Sequence, residues 1–272
     1  MAKRIQWADF PGSLIESISA RTGPIIAGRA VTDGQNSPLA AVLETRNGRV
    51  FAKGLPSDHR MVITQAREAA AAPLVKGISP ELLFWFDENG WKVNGFEHID
   101  GRSAHYQPGS PDIDLVVDLM GVLSAIEIPA GPGPWKPIET RMRTYVDDPA
   151  DAKIFAGSAL THTDWVPDNI LISQGQAWLI DWAWATPAQS WTDPAFWLLR
   201  LMARGHSIAQ AEAIAARLPA YAVADPEHVA VFAHANMNMW NEIDRDHPSP
   251  WATTMAATAR AWSESRRGVS RR

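Results

Sequence analysis

The chain has 272 residues, 46% of them hydrophobic and 20% charged, with a net charge of −5, a pI near 5.9 and no cysteine. That balance is of an ordinary globular protein with ample material for a core; it excludes disulfides, a thiolate zinc site and a cysteine nucleophile, and argues against a dedicated nucleic-acid binder. The start, Met1 to Phe10, has basic residues with no apolar run behind them, and no later stretch approaches a membrane span without a charge or proline, so a cytoplasmic chain with no membrane partner is expected.

In chain order, a turn at Pro11-Gly12 precedes a short amphipathic helix carried by Leu14, Ile15, Ile18 and Ala20. From Gly23 to Leu55 the period is that of strands. Pro24 to Ala27 and Ala30-Val31 flank the polar segment Thr32 to Ser37, and Ala40 to Glu44 and Arg49 to Lys53 are separated by Asn47-Gly48, a strong hairpin signal. Met61 to Val75 reads as a helix, with Glu68 inside the helix-forming run Gln65 to Ala72. Leu82 to Phe86 and Trp91 to Ile99 form a further hairpin around Glu88-Asn89-Gly90, which completes an antiparallel N-terminal sheet. Beyond Asp100 the pattern turns helical. Asp112 to Ile126 places Leu115, Val116, Leu119, Met120, Leu123 and Ile126 at helical spacing, a proline- and glycine-rich break follows at Pro129 to Trp135, and a short helix runs through Met142 and Tyr145.

The segment Leu160 to Trp184 carries the chemistry. Ile170 to Ile172 and Ala177 to Ile180 read as strands joined by the tight turn Ser173-Gln174-Gly175, and the second strand ends on Asp181. Antiparallel pairing would draw Asp164, Asn169 and Asp181 together. Oxygen donors in that number suit Mg²⁺, which takes one or two carboxylates from protein and fills its other positions with water and phosphate oxygens. Asn169 and Asp181 would hold the ion, leaving Asp164 to accept a proton from a hydroxyl. Downstream, Asp193 reads as an N-cap with Pro194 at the first helical position, and Ala209 to Leu218 and Pro226 to Trp240 as helices. Asn241 to His247 is an acidic cluster containing Glu242, Asp244 and Asp246, and the basic tail from Ser265 is expected to be disordered.

The run His162-x-Asp164-x-x-Pro167-x-Asn169-Ile170-Leu171, followed by Ile180-Asp181-Trp182, resembles the aminoglycoside phosphotransferase family. The resemblance spans about Gly23 to Leu199. It implies an α+β chain with the two-lobed protein-kinase-like fold: an N-terminal antiparallel-sheet lobe over residues 1–100, ending in a hinge, and a mainly helical catalytic and substrate lobe over 101–272. It further implies ATP and Mg²⁺ as cofactors and transfer of the γ-phosphoryl group to a hydroxyl of a small molecule. In Val50-Phe51-Ala52-Lys53 the lysine would hold nucleotide phosphates, oriented by Glu68; Gly34 would lie in the phosphate loop, and Glu97 and Ile99 would offer backbone groups to the base. His162 would brace the loop.

Two departures stand out: Thr163 where the family has glycine, and Val166 and Asp168 where it often has histidine and glycine. Asp168 adds a carboxylate beside a metal ligand. A protein kinase is a rival reading, but the connection from Asp181 to Asp193 is too short for a peptide-docking activation segment and no Ala-Pro-Glu follows, which favours a small-molecule acceptor. An aminoglycoside or other antibiotic acceptor, with a role in resistance, is expected if Glu242, Asp244 and Asp246 face the site. A flatter, more apolar acceptor or a quaternary amine is expected if the tryptophans around Trp182, Trp184, Trp191, Trp240 and Trp251 line it instead. The alternative from another class is a kinase-like protein that binds nucleotide or ligand and transfers nothing.

Overall fold

The computed structural model describes residues 6–31 and 37–267, so the phosphate segment with Gly34 and the last residues of the tail lie outside the described residues. The chain divides into two compact units, one of Met1–Asp100 with Ile180–Ala183, the other of Gly101–Leu179 with Trp184–Arg272.

In the first unit, helix α1 (Gly12–Thr22) precedes strands β1 (Ile25–Ala30), β2 (Leu39–Thr45) and β3 (Gly48–Pro56), helix α2 (Ile63–Ala71), and strands β4 (Leu82–Glu88) and β5 (Trp91–Glu97). The strands form one antiparallel sheet in the order β1-β2-β3-β5-β4. Gly48 opens β3 at a φ of 118°, and the β4–β5 turn runs through Asn89 and Gly90 at 52° and 76°, which explains glycine at those turns. α2 is shorter than the predicted 61–75 span, ending before Pro73, whose ring cannot enter a helix interior.

The two faces of this sheet are both used. Leu39, Ala41, Leu43, Ala52 and Val93 pack with Phe10, Leu14 and Ile18 in one buried cluster beneath α1. Side chains alternate along a strand, so Lys53 and Asn94, each one residue along from a cluster member and paired across β3 and β5, belong to the opposite face. Asn94 donates to the Gln65 carbonyl of α2 at 2.9 Å, which identifies α2 as the cover of that face.

The second unit is mainly helical. It comprises β6 (Arg102–Ser103), α3 (Asp112–Leu123), α4 (Ile138–Met142), β7 (Ala159–Thr161), β8 (Ile170–Ser173), β9 (Gln176–Leu179), β10 (Thr186–Ala188), α5 (Thr192–Met202), α6 (Ile208–Ala215), α7 (Pro219–Ala222), α8 (Pro226–Asp246) and α9 (Pro250–Arg267). β8 and β9 form the expected hairpin, with Ile170 opposite Leu179 and β6 added to its edge, and β7 pairs with β10. Phe232 of α8 centres an aromatic cluster, with Phe155, Trp191 and Phe196 at centroid separations of 5.1, 5.3 and 4.9 Å. Helix α9, absent from the sequence expectation, packs its Ala252, Met255, Ala256, Ala259 and Trp262 face into the core. Among the described residues no helix is long and apolar enough to cross a membrane.

Candidate active site

The register of β3 sets the first group of residues. Lys53 is carried on the α2 face, where a cation is costly unless paired. Its ammonium donates to Glu68 Oε1 of α2 at 2.5 Å and to Asp181 Oδ1 at 2.7 Å. Arg67, beside Glu68 on α2, donates to the Ala183 carbonyl at 3.3 Å. Trp182 Nε1 donates to Ser79 Oγ at 3.1 Å, so the segment that bears Asp181 is fastened at the two residues that follow the acid.

Exposure grades across this triad, from 2% for the Glu68 side chain and 10% for Lys53 to 37% for Asp181. The buried end serves to hold the lysine and the open end can meet a ligand. Burial pushes the Glu68 carboxyl up to about 7 although Lys53 pulls it down. Burial works against the Lys53 ammonium too, but Asp181 and Glu68 outweigh it and hold the group charged well above the usual lysine range. Asp181 has a φ of 64°, a left-handed conformation that aspartate tolerates better than most residues.

Glu97 ends β5, exposed, with its N–H donating to the Glu81 carbonyl at 2.8 Å, and Ile99 is half-buried two residues beyond it.

Asp164 and Asn169 belong to the second unit, on the segment between β7 and β8. His162 is fully buried, its Nδ1 accepting from the Asp164 N–H at 3.3 Å and its ring edge-on to Trp165 at 5.9 Å, as a brace would be. Thr163 has a φ of 67°, rare for a β-branched residue and a conformation that glycine adopts without steric cost. Its hydroxyl accepts from Arg141 at 2.8 Å and donates to the Trp184 carbonyl at 3.2 Å, so the strained residue is held by its own side chain. The Asn169 amide nitrogen donates to the Asp164 carbonyl at 2.9 Å and to Asp164 Oδ2 at 3.2 Å, which leaves its Oδ1 as the atom available to a cation. Asp168 is exposed in the 3-10 turn Pro167–Asn169.

Asp193 is not the N-cap of α5. The helix starts one residue earlier, at Thr192, and the buried Asp193 carboxylate accepts from the N–H groups of His162 and Thr163, both at 2.8 Å. Burial pushes its pKa up, against the two N–H groups that favour the ionised form. Seven residues on, hence two turns along the same helical face, Arg200 Nη2 reaches Asp164 Oδ1 at 3.4 Å. Arg200 is the residue the sequence reading missed, and its spacing from Asp193 was the available signal. Its guanidinium is buried, stands 5.1 Å from the Trp240 ring and 5.2 Å from the Trp251 ring, and its Nη1 has no hydrogen-bond partner among the described residues.

Asp164 opens onto a cavity of about 370 Å³ lined by α4, α5, α8 and α9, with Trp184, Trp240, Phe196 and Met239 among its walls. Glu242, Asp244 and Asp246 are not among the residues that line it. Met239, Trp240 and Ile243 are the α8 residues turned to the cavity, while Glu242 accepts from the Tyr145 hydroxyl, Asp244 from Thr253 and Asp246 from Arg245. Of the tryptophans, Trp182 and Trp191 are buried elsewhere.

Among the described residues no group of three or more histidine, aspartate or glutamate side chains could hold a metal. The two residues expected to hold Mg²⁺ present oxygen only, a carboxylate on Asp181 and an amide oxygen on Asn169, which fits a hard cation that completes its shell with phosphate and water.

The architecture is that of the kinase-like fold: an antiparallel five-stranded sheet with a lysine strand and a covering helix, followed by a mainly helical part. Choline kinase LicA from Streptococcus pneumoniae shares it at a TM-score of 0.64 and 16% identity, over 93% of this chain and 98% of that one. So does the aminoglycoside phosphotransferase APH(4)-Ia, at 0.59 and 14%, over 91% and 98%. A putative aminoglycoside phosphotransferase from Ralstonia eutropha JMP134 matches at 0.61 and 13%, over 94% and 96%. LicA is also known in complex with AMP, and a thermostable mutant of APH(4)-Ia in a ternary complex with ADP and hygromycin B. No protein-family model and no curated protein matches the sequence.

Proposed function

We propose that the chain is an ATP-dependent phosphotransferase that moves the γ-phosphoryl group to a hydroxyl of a small molecule. The observation that carries this reading is the buried Lys53, bracketed by Glu68 and Asp181 at 2.5 and 2.7 Å. A lysine paired so closely on the covered face of a sheet is held in one geometry, as a phosphate-binding ammonium must be. The solved structures that share the fold support a nucleotide as donor and a small molecule as acceptor.

In the reaction, Lys53 binds donor phosphate oxygens and Glu68 fixes its direction. Mg²⁺, taken up by Asp181 and Asn169, would supply charge neutralisation at the phosphates. The backbone groups of Glu97 and Ile99 serve the base, and Gly34 the phosphate loop. The acceptor hydroxyl oxygen bonds to the γ phosphorus as the bond from that phosphorus to the bridging oxygen breaks, and ADP leaves with the electron pair. Asp164 receives the hydroxyl proton, having been set at the cavity wall by Asn169 and Arg200.

The test is acceptor-dependent ADP release in wild type and Asp164→Ala. Removing a general base costs about 10²–10⁴-fold in rate, so turnover should fall by that margin while nucleotide still raises the melting temperature. If the protein binds nucleotide but no hydroxyl compound drives ADP release, the alternative of a binding protein without transfer holds.

A further inference from the structure

The cavity beside Asp164 has an unusual charge balance for a site that would take an amine. Three basic side chains, Lys136, Arg141 and Arg200, face one carboxylate, Asp164. The remaining walls are aromatic or aliphatic apart from the hydroxyls of Thr163 and Tyr145. Aromatic walls can bind cations through their ring faces, but here guanidinium groups already occupy that role. Arg141 stands 5.1 Å from the Trp184 ring, and Arg200 5.1 Å from the Trp240 ring. An incoming ammonium would meet a like charge at each of these rings; of the acids that could have attracted it, Asp244 and Asp246 are bound to Thr253 and Arg245, and Glu242, outside the lining, is engaged by the Tyr145 hydroxyl. An anionic group gains from the same arrangement. Lys136 is exposed at the wall and makes no hydrogen bond or ion pair among the described residues, so a ligand carboxylate takes no existing partner from it.

Resting on the phosphotransferase reading, we propose that the acceptor is a largely apolar hydroxy compound bearing an anionic group, not an aminoglycoside or a quaternary amine. The apolar body lies against Trp184, Phe196 and Trp240, the anionic group meets Lys136 and Arg141, and the hydroxyl is presented to Asp164. Met142, Met239 and Met255 give the walls adaptable surface, so the shape of the body is less restricted than its charge.

The experiment uses three probes of one shape: a naphthalene with a hydroxymethyl group on one ring and, on the other, a carboxylate, a carboxamide or an aminomethyl group. Dissociation constants are measured by calorimetry without nucleotide, on wild type and Lys136→Glu, and ADP release is then followed with ATP and Mg²⁺. In wild type the carboxylate should bind about tenfold more tightly than the aminomethyl probe, with the amide between them. Lys136→Glu, at an exposed side chain, should narrow or reverse that order. Tighter binding of the aminomethyl probe, no saturable binding of any probe, or an order that Lys136→Glu leaves unmoved would overturn the proposal. The expected order without ADP release would keep the acceptor class and remove the transfer reading. ADP release driven by choline or an aminoglycoside, and not by the carboxylate, would keep the transfer reading and remove the acceptor class.

Discussion

Lys53 illustrates how one residue can be both a cost and a device. A buried cation is tolerated here because two carboxylates hold it, and removing one member of such a group leaves a buried charge uncompensated, at about 3–5 kcal/mol. Lys53→Met should therefore destabilise the protein by that amount in denaturant titration and abolish the nucleotide-induced rise in melting temperature. Glu68 adds a pH dependence of known sign. Its carboxyl moves from an ordinary 4.5 up to about 7 in the folded protein, so between those values the folded state keeps a proton that the unfolded chain has released. This group's contribution to stability falls as pH rises through that window. Glu68→Gln cannot titrate, and its stability should decline less steeply than that of wild type from pH 4.5 to 7; parallel profiles would refute the account. The raised pKa of Lys53 acts only in alkali, where its contribution is lost as the ammonium deprotonates.

Helix α5 links two functions through its period. Asp193 and Arg200 share one face, the first binding the backbone of His162 and Thr163, the second the carboxylate of Asp164. Asp193→Ala would strand two buried N–H groups, each worth about 1–3 kcal/mol, in a loop where Thr163 already holds a left-handed conformation. We expect a loss of several kcal/mol in stability in denaturant titration, and reduced turnover, since Asp164 directly follows the two residues that Asp193 holds. The sequence reading recognised Asp193 as structural but assigned it to the wrong element. A carboxylate followed by proline looks like a cap, and only the fold shows that its acceptors point to a different segment. Helix α9 was missed for a related reason: its buried face is largely alanine, with little hydrophobic contrast to mark the period.

Across the whole chain, the match to solved kinase-like structures extends over nine-tenths of both partners at 13–16% identity. The fold thus persists where little sequence does, and the acceptor must be argued from the cavity alone. A nucleotide that binds only the folded state stabilises it by about 2.7 kcal/mol at a hundredfold excess over Kd, so ATP with Mg²⁺ should raise the melting temperature of wild type; no shift at millimolar nucleotide would remove the kinase reading. The strands of the N-terminal sheet, the β8–β9 hairpin, their turns and the lysine strand with its helix were legible in the sequence, because they rest on short-range rules: alternation along a strand, glycine at positive φ, and fixed spacing within one loop; the two- and three-residue strands β6, β7 and β10 are too short to show a period and were not. The charge balance of the cavity was not. It depends on which faces of α4, α5, α8 and α9 come together, and a side chain's period on its own helix does not say what it will meet. Tertiary packing alone gave Asp244 and Asp246 their partners in Thr253 and Arg245, brought Arg141 and Arg200 to the walls, and so set the charge balance of the cavity.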